Sequence, residues 1–150
     1  MAIHGSATEE IEAPIEKVFD VAADVEGSPR WQPEIKRVEV LERDADGRQV
    51  LVHTESDAKV RRLGSTLRFS YDAPTGLSWR QEDGDLKSVE GSWEFEDLGG
   101  GRTRATYSMT VDLGRMLGMV IRGPLVDLLR GQMVESMPGK LKQFVESNGS

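Results

Sequence analysis

Residues 48–60 read Arg-Gln-Val-Leu-Val-His-Thr-Glu-Ser-Asp-Ala-Lys-Val. Val50, Val52, Thr54, Ser56, Ala58 and Val60 share one parity, and none of them is charged. Leu51, His53, Glu55, Asp57, Lys59 and Arg61 share the other parity and are mostly charged. A period of two belongs to a strand with one face buried and the other in water. The stretch therefore predicts a strand from Arg48 to Val60, turning near Arg61-Arg62-Leu63-Gly64.

The same pattern continues on both sides. Upstream, Ile35–Arg43 is rich in β-branched residues and ends at the turn signal Asp44-Ala45-Asp46-Gly47. Downstream, the inward parity carries Ser65, Leu67, Phe69 and Tyr71, then Leu77, Trp79 and Gln81. Val89, Gly91, Trp93 and Phe95 follow, and then Ala105, Tyr107, Met109 and Val111. Turns at Pro74-Thr75-Gly76, Asp83-Gly84 and Gly99-Gly100-Gly101 separate these runs. Strands joined by such short connections predict an antiparallel meander.

Residues 2–12 predict a further half-buried strand, with Ile3, Gly5, Ala7 and Ile11 inward and Glu9 the polar exception on that parity. Pro14 suits the first turn of a helix, and Ile15, Val18, Phe19 and Ala22 recur at helical spacing up to Asp24. Ser28-Pro29-Arg30-Trp31 reads as a second short helix with Ser28 as its N-cap, closed by Pro33. At the other end, Leu125, Leu128, Leu129, Met133, Met137, Leu141, Phe144 and Val145 form one apolar stripe, and Pro138 predicts a kink within it. The fold class is α+β: a seven-stranded curved antiparallel sheet around a long C-terminal helix, with two short helices after the first strand.

Composition narrows the function. A length of 150 residues suits one domain, residues 1–150. A formal net charge of −7 argues against nucleic acid or an anionic membrane surface as the main partner. The chain has no cysteine, which excludes disulfides, thiolate catalysis and zinc fingers. Two histidines, His4 and His53, leave little for a metal site, and no cofactor is expected. His53-x-Glu55-x-Asp57 lies along one exposed strand, too spread to converge on an ion. There is no Gly-x-Ser-x-Gly elbow and no phosphate-binding glycine loop. The N-terminus lacks the basic and apolar parts of a signal peptide. The apolar run Met116 to Leu129 is broken by Arg122, Gly123, Pro124 and Asp127, so no integral membrane segment is expected. The expected location is cytoplasmic.

Several local sequences match those of a known protein family. The matching pieces are Ile11-Glu12-Ala13-Pro14-Ile15-Glu16-Lys17-Val18-Phe19, then Trp31-Gln32-Pro33-Glu34-Ile35 with Val38-Glu39-Val40-Leu41. Leu77-Ser78-Trp79, Glu90-Gly91-Ser92-Trp93 and the strand from Thr103 to Asp112 complete them. They are spread from residue 11 to residue 112, and in them the chain resembles the polyketide cyclase/dehydrase and lipid-transport superfamily, the START-like proteins that share the birch-pollen-allergen fold. The resemblance implies the helix-grip fold and a hydrophobic cavity between the sheet and the long helix.

The residues expected to line that cavity are Trp31, Leu67, Phe69, Tyr71, Trp79, Trp93, Phe95, Tyr107, Met109, Leu125, Leu129 and Met133. Large apolar side chains at such spacing also suit plain core packing. Trp and Tyr add a polar handle to an apolar body, and Met adapts to varied shapes. Glu9 and Gln81 are the candidate polar cavity residues, with Thr54, Ser56 and Ser65 on the same parity. A carboxylate facing an apolar interior needs a partner or a proton, unless a strand-end position lets it reach water. Arg61 and Arg62, with Lys59 beside them, are either a gate for an anionic head group or a solvated hairpin end. Arg68 and Arg80 point outward, toward acidic cross-strand neighbours.

Three functions follow. The first is binding or transport of a small hydrophobic molecule, such as a lipid, quinone, sterol or polyketide, with the two short helices and the Arg61–Gly64 hairpin as the gate. The second is a polyketide cyclase or aromatase using the same cavity, with Glu9, Tyr71, Tyr107 and Gln81 as its acid–base equipment. The third is a non-catalytic interaction module with a filled core, in which Met116 to Ile121 forms a docking patch or homodimer contact.

Overall fold

The computed structural model describes residues 2–57, 61–120 and 123–147, with backbone alone at Met116, Leu117 and Val120. Seven strands form one sheet: β1 (Ala2–Ile11), β2 (Ile35–Arg43), β3 (Gln49–Asp57), β4 (Arg62–Asp72), β5 (Gly76–Gly84), β6 (Ser88–Gly99) and β7 (Arg102–Asp112). Their order is β1-β7-β6-β5-β4-β3-β2, with every neighbour antiparallel. The six meander strands thus pair in sequence order, and β1 adds alongside β7 in unbroken register from Ala2↔Asp112 to Ile11↔Thr103. This is the helix-grip arrangement that the resemblance implies.

The outer face of the sheet is polar, as the parities predict. Hydroxyl and imidazole groups pair across β1 and β7: His4 with Thr110 at 2.7 Å, Ser6 with Ser108 at 3.1 Å and Thr8 with Thr106 at 3.0 Å. Arg68 pairs with Glu82, and Arg104 with Glu96 at 2.8 Å. The β6–β7 turn needs its glycines, because Gly99, Gly100 and Gly101 all have positive φ, at 82°, 64° and 75°.

Between β1 and β2 the chain crosses the open end of the sheet. Helix α1 (Ile15–Ala23) buries Ile15, Val18, Phe19 and Ala22, the residues at helical spacing. A 3-10 helix follows at Val25–Arg30. It starts four residues earlier than the Ser28 cap predicts, because Asp24 supplies the cap by accepting the Gly27 N–H at 3.3 Å. Ser28 is buried inside it. Gln49 of β3 fastens this turn to the sheet: its side chain accepts from Glu26 N–H at 2.8 Å and donates to Asp24 at 3.1 Å.

Thr103 marks where β7 meets the turn before α1. It is fully buried, and its Oγ1 donates to the Ala13 carbonyl at 2.8 Å. Valine has the same shape but no donor. Thr103→Val is expected to destabilise the protein by about 1–3 kcal/mol in a urea melt, because it strands a buried carbonyl. A loss under about 0.5 kcal/mol, within the range of a neutral surface change, would mean that the bond adds nothing.

Two predicted boundaries move. β4 already begins at Arg62, so Leu63 and Gly64 belong to the strand rather than to the turn. Ala58, Lys59 and Val60 lie outside the described residues. The C-terminal rod is also less regular than one kinked helix. It comprises α2 (Gly114–Val120), α3 (Pro124–Arg130), a wide turn at Gly131–Glu135 and α4 (Met137–Ser147). In the wide turn Ser136 N–H bonds to Gly131 O at 3.0 Å, five residues back. Pro138 has no N–H to offer the Val134 carbonyl and its ring crowds that group. The turn before it widens, so the irregularity precedes the proline. Leu128 leaves the apolar stripe and is 53% exposed, because α3 faces the core through Leu125, Val126 and Leu129.

Candidate ligand-binding cavity

α4 packs against β1, β7 and α1, and that end of the molecule is solid. Ile11, Val18, Phe19, Leu141 and Val145 are at most 1% exposed there. The stretch of rod around the wide turn instead faces a cavity of about 180 Å³. Its floor is the inner face of the sheet: Leu67 and Phe69 from β4, Leu77 and Trp79 from β5, Val89 and Trp93 from β6, Tyr107 and Met109 from β7. Met133 and Met137 form the roof, and Val25, Ile35 and Leu63 close the sides. None of the described lining residues comes from β1.

The floor is a continuous aromatic wall. Phe69 and Trp79 stand 5.6 Å apart, Trp79 and Tyr107 5.6 Å, and Tyr107 and Trp93 4.7 Å. Gly91 makes this possible. It pairs with Trp79 across β5 and β6, and a Cβ there would lie 2.4 Å from the indole Cζ2. The indole lies over the bare Cα.

Seven of the predicted lining residues meet at the cavity: Leu67, Phe69, Trp79, Trp93, Tyr107, Met109 and Met133. Five lie elsewhere in the core. Trp31 packs behind Trp93 at 6.4 Å, and Phe95 sits between Trp93 and Phe19. Tyr71 donates its hydroxyl to Gln49 O at 2.5 Å. Leu129 is buried in α3, which packs against β1, and Leu125 of the same helix is half-buried against the core. Their parity or helix face is inward, but their position along the element puts them beyond the void.

The polar candidates also move. Glu9 is exposed and does not line the cavity. β1 is an edge strand, so an inward parity near its end still reaches water, where Glu9 adds to the field on Lys142 of α4. Gln81 stands one layer behind the wall. It accepts from Ser65 Oγ at 2.7 Å and donates to Leu86 O at 2.8 Å, and Ser65 and Leu86 line the cavity. Thr54 and Ser56 do line it. Of the candidate gate, Leu63 and Gly64 of the hairpin and Ala22, Val25 and Ser28 of the two short helices reach the lining.

Sequence reasoning missed Glu34, Gln132 and Met137 as lining residues. Met137 sat on the apolar stripe. Glu34 precedes β2, and Gln132 lies in the wide turn, so neither carries a periodic signal. Glu34 Oε2 accepts from Lys140 Nζ at 3.2 Å, and Gln132 Nε2 donates to Asp57 O at 3.3 Å. Both tie the rod to the mouth of the β2–β3 pair. Among the described residues no group of three His, Asp or Glu is placed to hold a metal ion, and no helix is long and apolar enough to cross a membrane.

The chain has two tyrosines, and both phenols are held neutral. Burial pushes Tyr71 up to about 12, against the pull of the Arg48 guanidinium 5.4 Å over its ring. Burial raises Tyr107 further, and the charge of Glu34 adds to it. A raised phenol favours the folded state below the ordinary value of 10.0, and this contribution is lost as pH climbs toward about 12. Tyrosinate absorbance is therefore expected to stay flat through pH 10 and to rise only with alkaline unfolding. A step of native protein near pH 10 would contradict the burial of both rings.

A profile of the polyketide cyclase/dehydrase and lipid-transport family matches residues 11–137. No curated protein matches. Among solved structures, a START superfamily protein from Mycobacterium smegmatis is 25% identical with a TM-score of 0.84, over 97% of this chain and 98% of that one. The Zhui aromatase/cyclase from Streptomyces sp. R1128 is 19% identical with a TM-score of 0.77, over 100% and 97%. The di-domain ARO/CYC protein BexL is 20% identical with a TM-score of 0.70, over 95% of this chain and 46% of that one. With a family profile spanning most of its length and a sheet that encloses an apolar void against the C-terminal rod, the chain belongs to the polyketide cyclase/dehydrase and lipid-transport family.

Proposed function

We propose that the protein binds one small hydrophobic molecule by enclosing it between the sheet and the rod. The observation that carries this reading is the void itself, walled by Phe69, Trp79, Trp93, Tyr107 and three methionines with few polar atoms. Burial of apolar ligand surface supplies roughly 25 cal/mol per Å², less the cost of ordering. Size restricts the cargo. An engineered apolar cavity of about 150 Å³ holds benzene, so 180 Å³ holds one substituted ring, and a larger ligand must extend through the mouth. Trp79 and Trp93 report occupancy directly. Titration with alkylphenols, quinones, sterols and fatty acids is expected to give saturable change in tryptophan fluorescence for at least the ring compounds. No change with any of them would count against enclosure.

One observation favours a catalytic use of the same cavity. Glu34 sets a carboxylate oxygen at the wall, within electrostatic range of the Tyr107 hydroxyl, which suits a general base acting on the inserted end of a poly-ketone that extends through the mouth. Cyclisation of a linear poly-β-ketone analogue, lost in Glu34→Gln, would support it. Turnover equal to the uncatalysed rate would leave binding alone.

A further inference from the structure

Two buried oxygens of the cavity lining have no hydrogen-bond partner among the described residues: Glu34 Oε1 and Gln132 Oε1. Each side chain is anchored through its other head atom. Lys140 Nζ holds Glu34 Oε2 at 3.2 Å, and Asp57 O holds Gln132 Nε2 at 3.3 Å. Asp57 N–H also donates to Glu34 O at 2.7 Å, so the backbone of one residue at the end of β3 brings both to the same end of the cavity. The orientation of the amide follows from its anchor, since an oxygen turned toward Asp57 O would meet a second acceptor.

A buried acceptor without a donor is costly, and a ligand that supplies the donor removes that cost. Both free atoms accept and neither donates. Lys140, which reaches that end among the described residues, is already held by Glu34. We infer that the cavity selects a ligand bearing a neutral hydroxyl, a phenol or alcohol, with its one O–H shared between Glu34 Oε1 and Gln132 Oε1 and the apolar body against Trp79 and Met133. The inference rests on the binding reading above. A ligand carboxylate would meet the carboxylate of Glu34. A quinone or ether brings only acceptors and leaves both oxygens unpaired.

The test compares 4-butylphenol with 4-propylanisole, isomers of equal size that differ in the donor. The wild-type protein is expected to bind the phenol at least about tenfold tighter, the usual scale for a hydrogen bond to a charged group. In Glu34→Gln the new amide turns its oxygen to Lys140 and its NH₂ to the cavity, so the preference is expected to fall below about threefold or reverse. Gln132→Leu removes the second acceptor without touching the Lys140 pair, and is expected to reduce the preference several-fold. Circular dichroism checks each variant, and Gln132→Leu carries the test if Glu34→Gln does not fold. Equal affinity of the isomers for the wild type, or a preference unchanged in the folded variants, would overturn the hydroxyl inference and leave enclosure standing. Binding of neither isomer nor any wider ligand would overturn enclosure itself.

Discussion

Replacing Gly91 with alanine is expected to close the cavity, weaken ligand binding by about tenfold or more, and cost the fold about 1–3 kcal/mol. The added Cβ would lie 2.4, 2.5 and 2.7 Å from Cζ2, Cε2 and Nε1 of Trp79, so the indole has to leave its place. Phe69 and Tyr107 each stand 5.6 Å from the indole and hold it on two sides, and the free direction is the void. A ring pushed into that space removes apolar contact from the ligand. A loss of only about 60 Å² at 25 cal/mol per Å² is already about tenfold in affinity. The sign of the stability change is informative. Alanine in an unobstructed strand would gain roughly 0.5–1 kcal/mol over glycine. Denaturant melts and fluorescence titration of Gly91→Ala read both effects. A stabilised variant with wild-type affinity would show that Trp79 does not rest on Gly91.

Phe19→Ala is expected to have the largest effect on stability, about 3–5 kcal/mol. Phe19 is 1% exposed and meets Tyr71 and Phe95 edge-on, each at 6.4 Å. The Arg48 guanidinium covers its ring at 5.0 Å. Unlike Trp79 it does not line the cavity, so its removal leaves a hole that close-packed neighbours fill poorly. Against a typical total of about 5–15 kcal/mol the loss is a large share. At about 2–4 °C per kcal/mol the melting temperature is expected to fall by roughly 6–20 °C. Ligand affinity of the molecules that remain folded is expected to stay near the wild-type value, since Phe19 is not in the lining. A loss under about 1.5 kcal/mol would mean that the α1 end is loosely packed.

The two variants separate what the chain displays in one dimension from what it hides. Strand register was legible because a period of two is local. Val52 and Thr54 of β3, Phe69 of β4 and Trp79 of β5 all face inward as their parity requires. Parity names a face, however, and not a position along it. Tyr71 and Phe95 share the inward parity with Phe69 and Trp93, yet one turns its hydroxyl to Gln49 and the other packs on Phe19. Glu9 shares it as well and reaches water, because β1 is an edge. The helical stripe held from Leu141 to Val145 but not through Gly131–Glu135, where a five-residue hydrogen bond shifts the phase. Glu34 and Gln132 carry no periodic signal at all. They become wall residues through Lys140 and the backbone of Asp57, which are contacts between distant parts of the chain.

Diffraction from a crystal under xenon pressure tests the void most directly, since xenon enters dry apolar cavities without needing a hydrogen bond. Xenon density is expected between Trp79, Trp93 and Met133, with the surrounding side chains unmoved, and it is expected to vanish in Gly91→Ala. A map with no xenon there, and with Trp79 or Met133 filling the space, would contradict enclosure of any ligand at this site.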